Sequence, residues 1–157
     1  MTDYNALWQS AESLLDPQVH PLSNLANISA LIRFSITDIN WSGFYFLIDD
    51  VLNLGPFCGL PACIRIPVGR GVCGTAVQQD MVLCVPDVHA FSGHIACDCN
   101  SRSELVIPIH LDKRVVGVLD IDSPVLNRFG EDELDFFGKT AQRIEYCLAE
   151  NRTLWKL

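Results

Sequence analysis

Long apolar runs, an excess of basic residues and linker-like tracts are all missing from this sequence. No unbroken apolar run is longer than Phe44–Ile48, which is far shorter than the ~20 residues of a membrane-spanning helix. Eleven Lys and Arg residues stand against 19 Asp and Glu residues. The resulting net charge of −8 disfavours binding to nucleic acids and to anionic membranes. The 157 residues contain no repeat or Gly/Ser linker, so we expect a single domain over residues 1–157.

We also expect no secretory signal, because residues 1–6 contain neither a basic segment nor an apolar one. Cysteine, by contrast, is frequent, and an odd number of thiols cannot all pair within one chain. Together these features predict a cytoplasmic protein in a reducing compartment. The simplest role for such thiols is that of small apolar core residues. The seven cysteines are Cys58, Cys63, Cys73, Cys84, Cys97, Cys99 and Cys147.

Helical and alternating hydrophobic patterns predict an α+β fold. The predicted elements are helices over 4–15, 22–34 and 131–151, hairpins over 41–54 and 104–122, and single strands over 62–68 and 81–85. Gly55-Pro56 is expected to end the first hairpin, and the loop over 86–103 is longer than most loops of compact domains. We expect the terminal helices on one face of an antiparallel sheet. A short helix and the long loop would then cover a pocket on the other face.

A glycine turn, Gly69-x-Gly71-x-x-Gly74, lies between a predicted strand and this short helix. The spacing matches the dinucleotide-binding fingerprint, but that motif needs a parallel strand-helix-strand unit. Since the surrounding strands are predicted to be antiparallel, we interpret the glycines as a sharp turn into the helix. Cys73 would lie in the first helical turn, where the positive end of the helix dipole favours a thiolate.

A zinc site is an alternative use of the cysteines. His94-x-x-Cys97-x-Cys99 offers three ligands, and Cys63 or Cys73 offers a fourth. Structural zinc sites normally use cysteine pairs separated by two to four residues, and Cys97-x-Cys99 is closer than that. We therefore expect no bound metal.

Acidic and aromatic residues on neighbouring strands are expected to share one sheet face. Asp120 and Asp122 alternate along one strand and so point to the same side. Glu104 begins the preceding strand, where it is either a surface charge or a third carboxylate in the same pocket. Clustered carboxylates raise one another's pKa, so that one of them stays protonated near neutral pH. Trp41 and Tyr45, four residues apart, also share a face, as core residues or as a platform for a ligand.

Seven motifs within residues 22–148 are Trp41-Ser42-Gly43-Phe44-Tyr45, Leu54-Gly55-Pro56-Phe57, Ala62-Cys63-Ile64-Arg65-Ile66, Gly71-Val72-Cys73-Gly74-Thr75-Ala76, Gly93-His94-Ile95-Ala96-Cys97-Asp98, Ser103-Glu104-Leu105-Val106-Ile107-Pro108 and Leu119-Asp120-Ile121-Asp122-Ser123-Pro124. Together they resemble the motifs of the free methionine-(R)-sulfoxide reductases, which are single GAF-domain enzymes. Other GAF domains bind cyclic nucleotides, tetrapyrroles or other small molecules and lack this set of cysteines. The resemblance implies a GAF-like antiparallel sheet and the reduction of free L-methionine (R)-S-oxide to methionine.

The resemblance also implies roles for three cysteines and two carboxyl groups. Cys97 is expected to attack the sulfoxide sulfur and become a sulfenic acid, with which Cys63 condenses to an intramolecular disulfide. Cys73 is expected to relay this exchange or to hold substrate, and which of Cys73 and Cys97 attacks stays open. Glu104 and Asp122 are expected to protonate the oxygen as its bond to sulfur breaks.

Substrate binding is expected to use a further set of residues on the same side of the sheet. The indole of Trp41 would contact the methyl group of the sulfoxide, with Tyr45 beside it. Asp120 would support the proton donors and attract the ammonium group. Backbone N–H groups around Ile95 and Ala96 would bind the carboxylate. Such an enclosed pocket would exclude methionine within a polypeptide.

The resemblance implies recycling by thioredoxin, no cofactor beyond the redox-active cysteines, and a homodimer. Cys58, Cys84, Cys99 and Cys147 match no family motif and are expected to be incidental, although Cys99 lies close enough in sequence to Cys97 to offer an alternative thiol. Two other classes of protein remain as alternatives. One is a non-catalytic GAF sensor that binds a small molecule, and the other is a zinc-bearing interaction module.

Overall fold

Within residues 2–93 and 99–152, which this computed structural model describes, the chain forms six strands, four α-helices and one 3-10 turn. The strands are β1 (Trp41–Ile48), β2 (Val51–Cys58), β3 (Arg65–Pro67), β4 (Leu83–Val85), β5 (Ser103–Leu111) and β6 (Arg114–Ser123). The helices are α1 (Tyr4–Leu14), α2 (Pro21–Ser35), α3 (Gly71–Gln79) and α4 (Glu131–Glu150), and the 3-10 turn is Val88–Ala90. No helix in these ranges is both long and apolar enough to cross a membrane.

The strands form a single sheet in the order β3-β2-β1-β6-β5-β4, and every neighbouring pair runs antiparallel. Since side chains alternate along each strand, the two faces of the sheet differ. One face, with Phe44, Leu119 and Ile121, packs against α1, α2 and α4. The other, with Val106 and Val118, packs against α3. This arrangement confirms the predicted α+β fold, with the terminal helices on one face and the short helix on the other.

The prediction that Gly55-Pro56 ends the first hairpin is wrong, because β2 continues through both residues to Cys58. The pairing of β1 with β2 shifts register between Gly43 and Tyr45. Gly55 and Pro56 fall at this irregularity, where the missing N–H of proline removes no regular ladder bond. The predicted strand over 62–68 is shorter than expected, with regular pairing only over Arg65–Pro67.

The glycine turn lets α3 lie close to the end of β3. A side chain at Gly74 would collide with the carbonyl oxygen of Pro67, so only glycine allows this approach. The strands before and after α3 lie at opposite edges of an antiparallel sheet. They therefore form no parallel strand-helix-strand unit, and the glycines serve the geometric role predicted for them.

His110 on β5 joins two distant parts of the fold that the sequence patterns did not connect. Its Nε2 lies 2.7 Å from Asp80 Oδ1, at the end of α3, and its Nδ1 lies 2.9 Å from Glu145 Oε1 on α4. The backbone N–H of His110 also donates to Glu145 Oε1 at 2.8 Å. Burial lowers the pKa of His110, but the hydrogen bonds to Asp80 and Glu145 outweigh it and raise the pKa above its usual value.

Replacing His110 with glutamine should therefore destabilise the protein in a pH-dependent way. A raised pKa in the folded state gives stability below the unfolded-state value of about 6.5, and this stability is lost as pH rises through the folded-state pKa. Thermal unfolding of both proteins at pH 6 and pH 9 measures the difference. We expect a larger loss of Tm at pH 6, and an equal loss at both pH values would contradict the ion pairing.

Candidate active site

Three adjacent strands bring the predicted acidic and aromatic residues to the sheet face that α3 covers. Glu104 on β5 lies directly opposite Asp122 on β6. On the other side of β6, Asp122 lies opposite Trp41, and Asp120 lies opposite Gly43. The strand register therefore places the carboxyl groups of two strands beside the aromatic end of β1, as predicted.

Cys73 on α3 meets these carboxyl groups from above the sheet. Its Sγ lies 3.8 Å from Glu104 Oε1. A ligating atom from each of Cys73, Glu104 and Asp120 lies within 4.8 Å of the other two. The three residues are 3%, 7% and 6% exposed, respectively, so water screens their interactions poorly. We call these three residues the buried acid cluster, and the half-buried Asp122 lies at its edge.

The cluster favours the protonated forms of its carboxyl groups. Burial raises the pKa of Asp120 to about 7, although hydrogen bonds to Cys73 and Glu104 partly oppose the shift. Burial, followed by the charges of Asp120 and Asp122, raises the pKa of Glu104 well above its usual value. Glu104 can thus carry a proton at neutral pH and donate a hydrogen bond to Asp120. This is the electrostatic environment that a general acid needs near pH 7.

The prediction that the helix dipole makes Cys73 a thiolate is wrong. Burial first, and then the charges of Asp120 and Glu104, raise the pKa of the Cys73 thiol well above its usual value. A helix N-terminus contributes at most about 2 kcal/mol, whereas an uncompensated buried charge costs several kcal/mol. Cys73 therefore stays a neutral thiol, which can donate a hydrogen bond to Glu104 but is a poor nucleophile.

The aromatic part of the site is a stack of three rings. The ring centroids of Trp41 and Tyr45 lie 6.0 Å apart, and those of Trp41 and Phe57 lie 5.4 Å apart. The indole N–H of Trp41 donates to the carbonyl oxygen of Leu60 at 3.1 Å, which fixes the ring. A Cβ at Gly43 would lie 2.6 Å from this indole. A residue without a side chain is therefore needed between Trp41 and Tyr45.

Tyr45 connects the sheet to Cys63. Its hydroxyl donates to the backbone carbonyl oxygen of Cys63 at 3.0 Å. Burial, then the charges of Asp120 and the other acidic groups, raises the pKa of Tyr45, so the hydroxyl keeps its proton. Cys63 is held in a disulfide. Among the described residues, free thiols are found at Cys58, Cys73, Cys84, Cys99 and Cys147.

Part of the predicted site lies outside the described residues. The predicted attacking Cys97, and Ile95 and Ala96 with their proposed carboxylate-binding N–H groups, fall in 94–98. His94, a ligand of the alternative zinc site, falls in the same segment. Cys99, another ligand of the alternative zinc site, is exposed.

Sequence reasoning missed two contributors to the site, Leu60 and the ring of Phe57. Leu60 acts only through its backbone carbonyl, which carries no signal in the sequence. Phe57 lies on β2 beyond Gly55-Pro56, where the strand was expected to have ended. Unbroken alternation past Pro56 would have placed Phe57 opposite Ser42, on the other face of the sheet. The register shift places it opposite Gly43 instead, next to Trp41.

Comparisons with known proteins identify the family of the chain. Residues 11–148 match the GAF domain family. The chain is 50% identical over 147 residues to the free methionine-R-sulfoxide reductase of Escherichia coli (strain K12), with 94% of this chain and 85% of that protein covered. The chain belongs to the free methionine-(R)-sulfoxide reductase family. This membership confirms the family, the GAF fold and the enzymatic nature predicted from the sequence.

Solved structures of this reductase family share the fold over nearly the whole chain. The Staphylococcus aureus fRMsr in its reduced form has a TM-score of 0.91 and 47% identity, with 95% of this chain and 97% of that one covered. The free methionine-R-sulfoxide reductase of Neisseria meningitidis, in complex with its substrate, has a TM-score of 0.89 and 38% identity. There, 96% of this chain and 90% of that one are covered.

In the folded protein, Cys73 should resist alkylation. Its sulfur is buried and its raised pKa leaves little thiolate, whereas the exposed Cys99 should react readily. Iodoacetamide labelling at pH 8 followed by peptide mass spectrometry measures both rates. We expect Cys73 to become labelled only in denaturant. Equal labelling of Cys73 and Cys99 in the native protein would contradict the burial.

Proposed function

We propose that this protein reduces free L-methionine (R)-S-oxide to L-methionine with its own cysteines as the immediate reductant. The buried acid cluster beside the Trp41 ring supports this proposal, because its three groups lie close together and burial raises the pKa of Glu104 well above its usual value. Sulfoxide reduction needs a proton, because oxide is a poor leaving group unless it is protonated. Family membership supports the same substrate.

The first half-reaction oxidises one cysteine. Cys97 attacks the sulfoxide sulfur as a thiolate, and Glu104 transfers its proton to the oxygen, with Asp122 assisting and Asp120 supporting the donors. The sulfur–oxygen bond breaks and the oxygen passes to the Cys97 sulfur. Methionine leaves, and Cys97 becomes a sulfenic acid. Cys73 and Cys97 are the two candidates for the attacking thiol. The raised pKa of Cys73 favours Cys97 as the nucleophile.

The second half-reaction restores the cysteine. Cys63 attacks the Cys97 sulfenic acid, water leaves, and an intramolecular disulfide forms. The oxidised state of Cys63 and its anchoring by Tyr45 support this resolving role. Two thiols of a thioredoxin-type donor then reduce the disulfide by exchange. This cycle fits a cytoplasmic enzyme, which we propose to be a homodimer, and needs no other cofactor.

Substrate selectivity follows from contacts to four groups of the substrate. A sulfoxide is chiral at sulfur, so the Trp41 ring against the methyl group and Glu104 against the oxygen distinguish the two epimers. Tyr45 closes the pocket beside Trp41. Asp120 and Asp122 attract the free ammonium group, and the backbone N–H groups of Ile95 and Ala96 bind the free carboxylate. A methionine inside a polypeptide lacks both charged groups and is therefore excluded.

A non-catalytic GAF sensor is the alternative function. It would use the same pocket for a small ligand but would need no proton donor and no disulfide. The burial of Glu104, which raises its pKa, and the disulfide at Cys63 favour the enzyme. Release of methionine from each purified sulfoxide epimer, with a thioredoxin system as reductant, distinguishes the two functions.

Replacing Cys97 with serine should abolish turnover of the (R)-sulfoxide, because a hydroxyl cannot take up the oxygen as a sulfenic acid. Methionine release measured by amino-acid analysis gives the rate. The matched control is Cys99→Ser, which removes a neighbouring exposed thiol and should leave the rate unchanged. Retained turnover in Cys97→Ser, or loss of it in Cys99→Ser, would contradict the assigned attacker.

Replacing Glu104 with glutamine should lower kcat by about 10²- to 10⁴-fold, the range expected for loss of a general acid. Because the acid is active when protonated, the wild-type rate should fall as pH rises through its raised pKa. The variant should lack this decline. The control is Glu12→Gln, an exposed glutamate on α1. Unchanged turnover in Glu104→Gln would remove Glu104 from the proton-donor role.

A further inference from the structure

The buried acid cluster combines one thiol with two carboxyl groups, which are ligand types that Zn²⁺ accepts together. Cys73, Glu104 and Asp120 each offer one ligating atom, and these atoms lie within 4.8 Å of one another. The three side chains come from α3, β5 and β6, so the packing of the helix on the sheet holds them together. This set differs from the zinc alternative suggested by the sequence, since it uses none of His94, Cys97 and Cys99 and can share only Cys73 with it.

The spacing of the ligands suits a tetrahedral ion. A Zn–S bond of about 2.3 Å and a Zn–O bond of about 2.1 Å place sulfur and oxygen about 3.6 Å apart at a tetrahedral angle. The distance from Cys73 Sγ to Glu104 Oε1 is 3.8 Å. An ion would therefore need only a small movement of the two side chains. The half-buried Asp122 or a water molecule would complete the coordination.

An unsatisfied group independently points to a ligand at this position. Within residues 2–93 and 99–152, the buried Oδ1 of Asp120 has no hydrogen-bond partner, and a buried acceptor without a partner is costly. Among the ion pairs of residues 2–93 and 99–152, none neutralises Glu104 or Asp120. A divalent cation would satisfy the oxygen and offset the negative charge in one step.

We propose that Cys73, Glu104 and Asp120 form a binding site for an exchangeable thiophilic divalent cation, such as Zn²⁺ or Cd²⁺, which inhibits the enzyme. On binding, the Cys73 thiol and the protonated carboxyl group of Glu104 each release a proton to solvent. The ion is then coordinated by the Cys73 sulfur and by carboxylate oxygens. The ion would occupy the position of the proton donor and exclude the sulfoxide oxygen. The inhibition rests on the proposed function, whereas the binding does not.

Titration of the resting protein with Cd²⁺ tests the site, because a thiolate-to-Cd²⁺ charge-transfer band in the ultraviolet reports coordination by sulfur. In this state Cys63 is in a disulfide and does not compete. We expect one strong equivalent per chain. Cys73→Ser should lose this band, and Glu104→Gln and Asp120→Asn should each bind at least tenfold more weakly.

Two controls separate the site from other thiols and other ions. A Cys84→Ser, Cys99→Ser double variant removes the exposed free thiols and should bind Cd²⁺ as the wild type does. Mg²⁺ should not displace Cd²⁺, since thiolate ligands disfavour hard ions. A band that persists in Cys73→Ser would overturn the proposal. So would wild-type affinity in both Glu104→Gln and Asp120→Asn, each checked for folding by circular dichroism.

Displacement by substrate distinguishes the metal site from the proposed function. The test uses a chain with Cys63→Ser and Cys97→Ser, which neither turns over nor forms the disulfide. Free methionine (R)-sulfoxide should weaken Cd²⁺ binding in proportion to its concentration. The sulfoxide could leave Cd²⁺ binding unchanged although the Cys73, Glu104 and Asp120 variants lose Cd²⁺ affinity as expected. That result would support the metal site and contradict the proposed substrate position.

Discussion

The burial of Glu104 and Asp120 beside a thiol is the constraint on which the rest of the site depends. Removing a carboxylate from water costs several kcal/mol unless an opposite charge compensates it. Neither carboxyl group takes part in the ion pairs of residues 2–93 and 99–152, so the site responds by keeping a proton. That retained proton is what a sulfoxide oxygen requires in order to leave. The same crowding of potential ligands would make the site sensitive to thiophilic cations.

The fold determines how deeply the buried acid cluster lies beneath the protein surface. Antiparallel pairing of β5 with β6 sets Glu104 opposite Asp122, and Gly74 allows α3 to approach the end of β3 closely. Cys73 on α3 then lies against Glu104. The thiol then experiences two opposing effects, the positive end of its helix and the loss of water. Burial outweighs the helix dipole, because the free-energy cost of burying a thiolate exceeds the stabilisation that the dipole gives it. A buried neutral thiol is a poor nucleophile, which supports the proposed role of Cys97 as the attacker.

Local patterns were sufficient to predict the architecture and the shared face of Trp41, Tyr45, Asp120 and Asp122, because two-residue alternation fixes where strand side chains point. They were insufficient where distant segments meet. The depth of Cys73 depends on how α3 packs on the sheet, and the contacts of His110 with Asp80 and Glu145 join three elements. The local sequence Gly55-Pro56 predicts the end of a strand. In the structure, the irregular pairing with β1 allows β2 to continue through both residues.

Infrared spectroscopy of the resting protein tests the retained proton most directly, because a protonated carboxyl group absorbs at a higher frequency than a carboxylate. Comparison of the wild type with Glu104→Gln at pH 7 isolates the signal of one side chain. A protonated Glu104 predicts a carboxylic acid band in the wild type that is lost in the variant. A wild-type spectrum at pH 7 with no such band would contradict a proton held by the buried acid cluster.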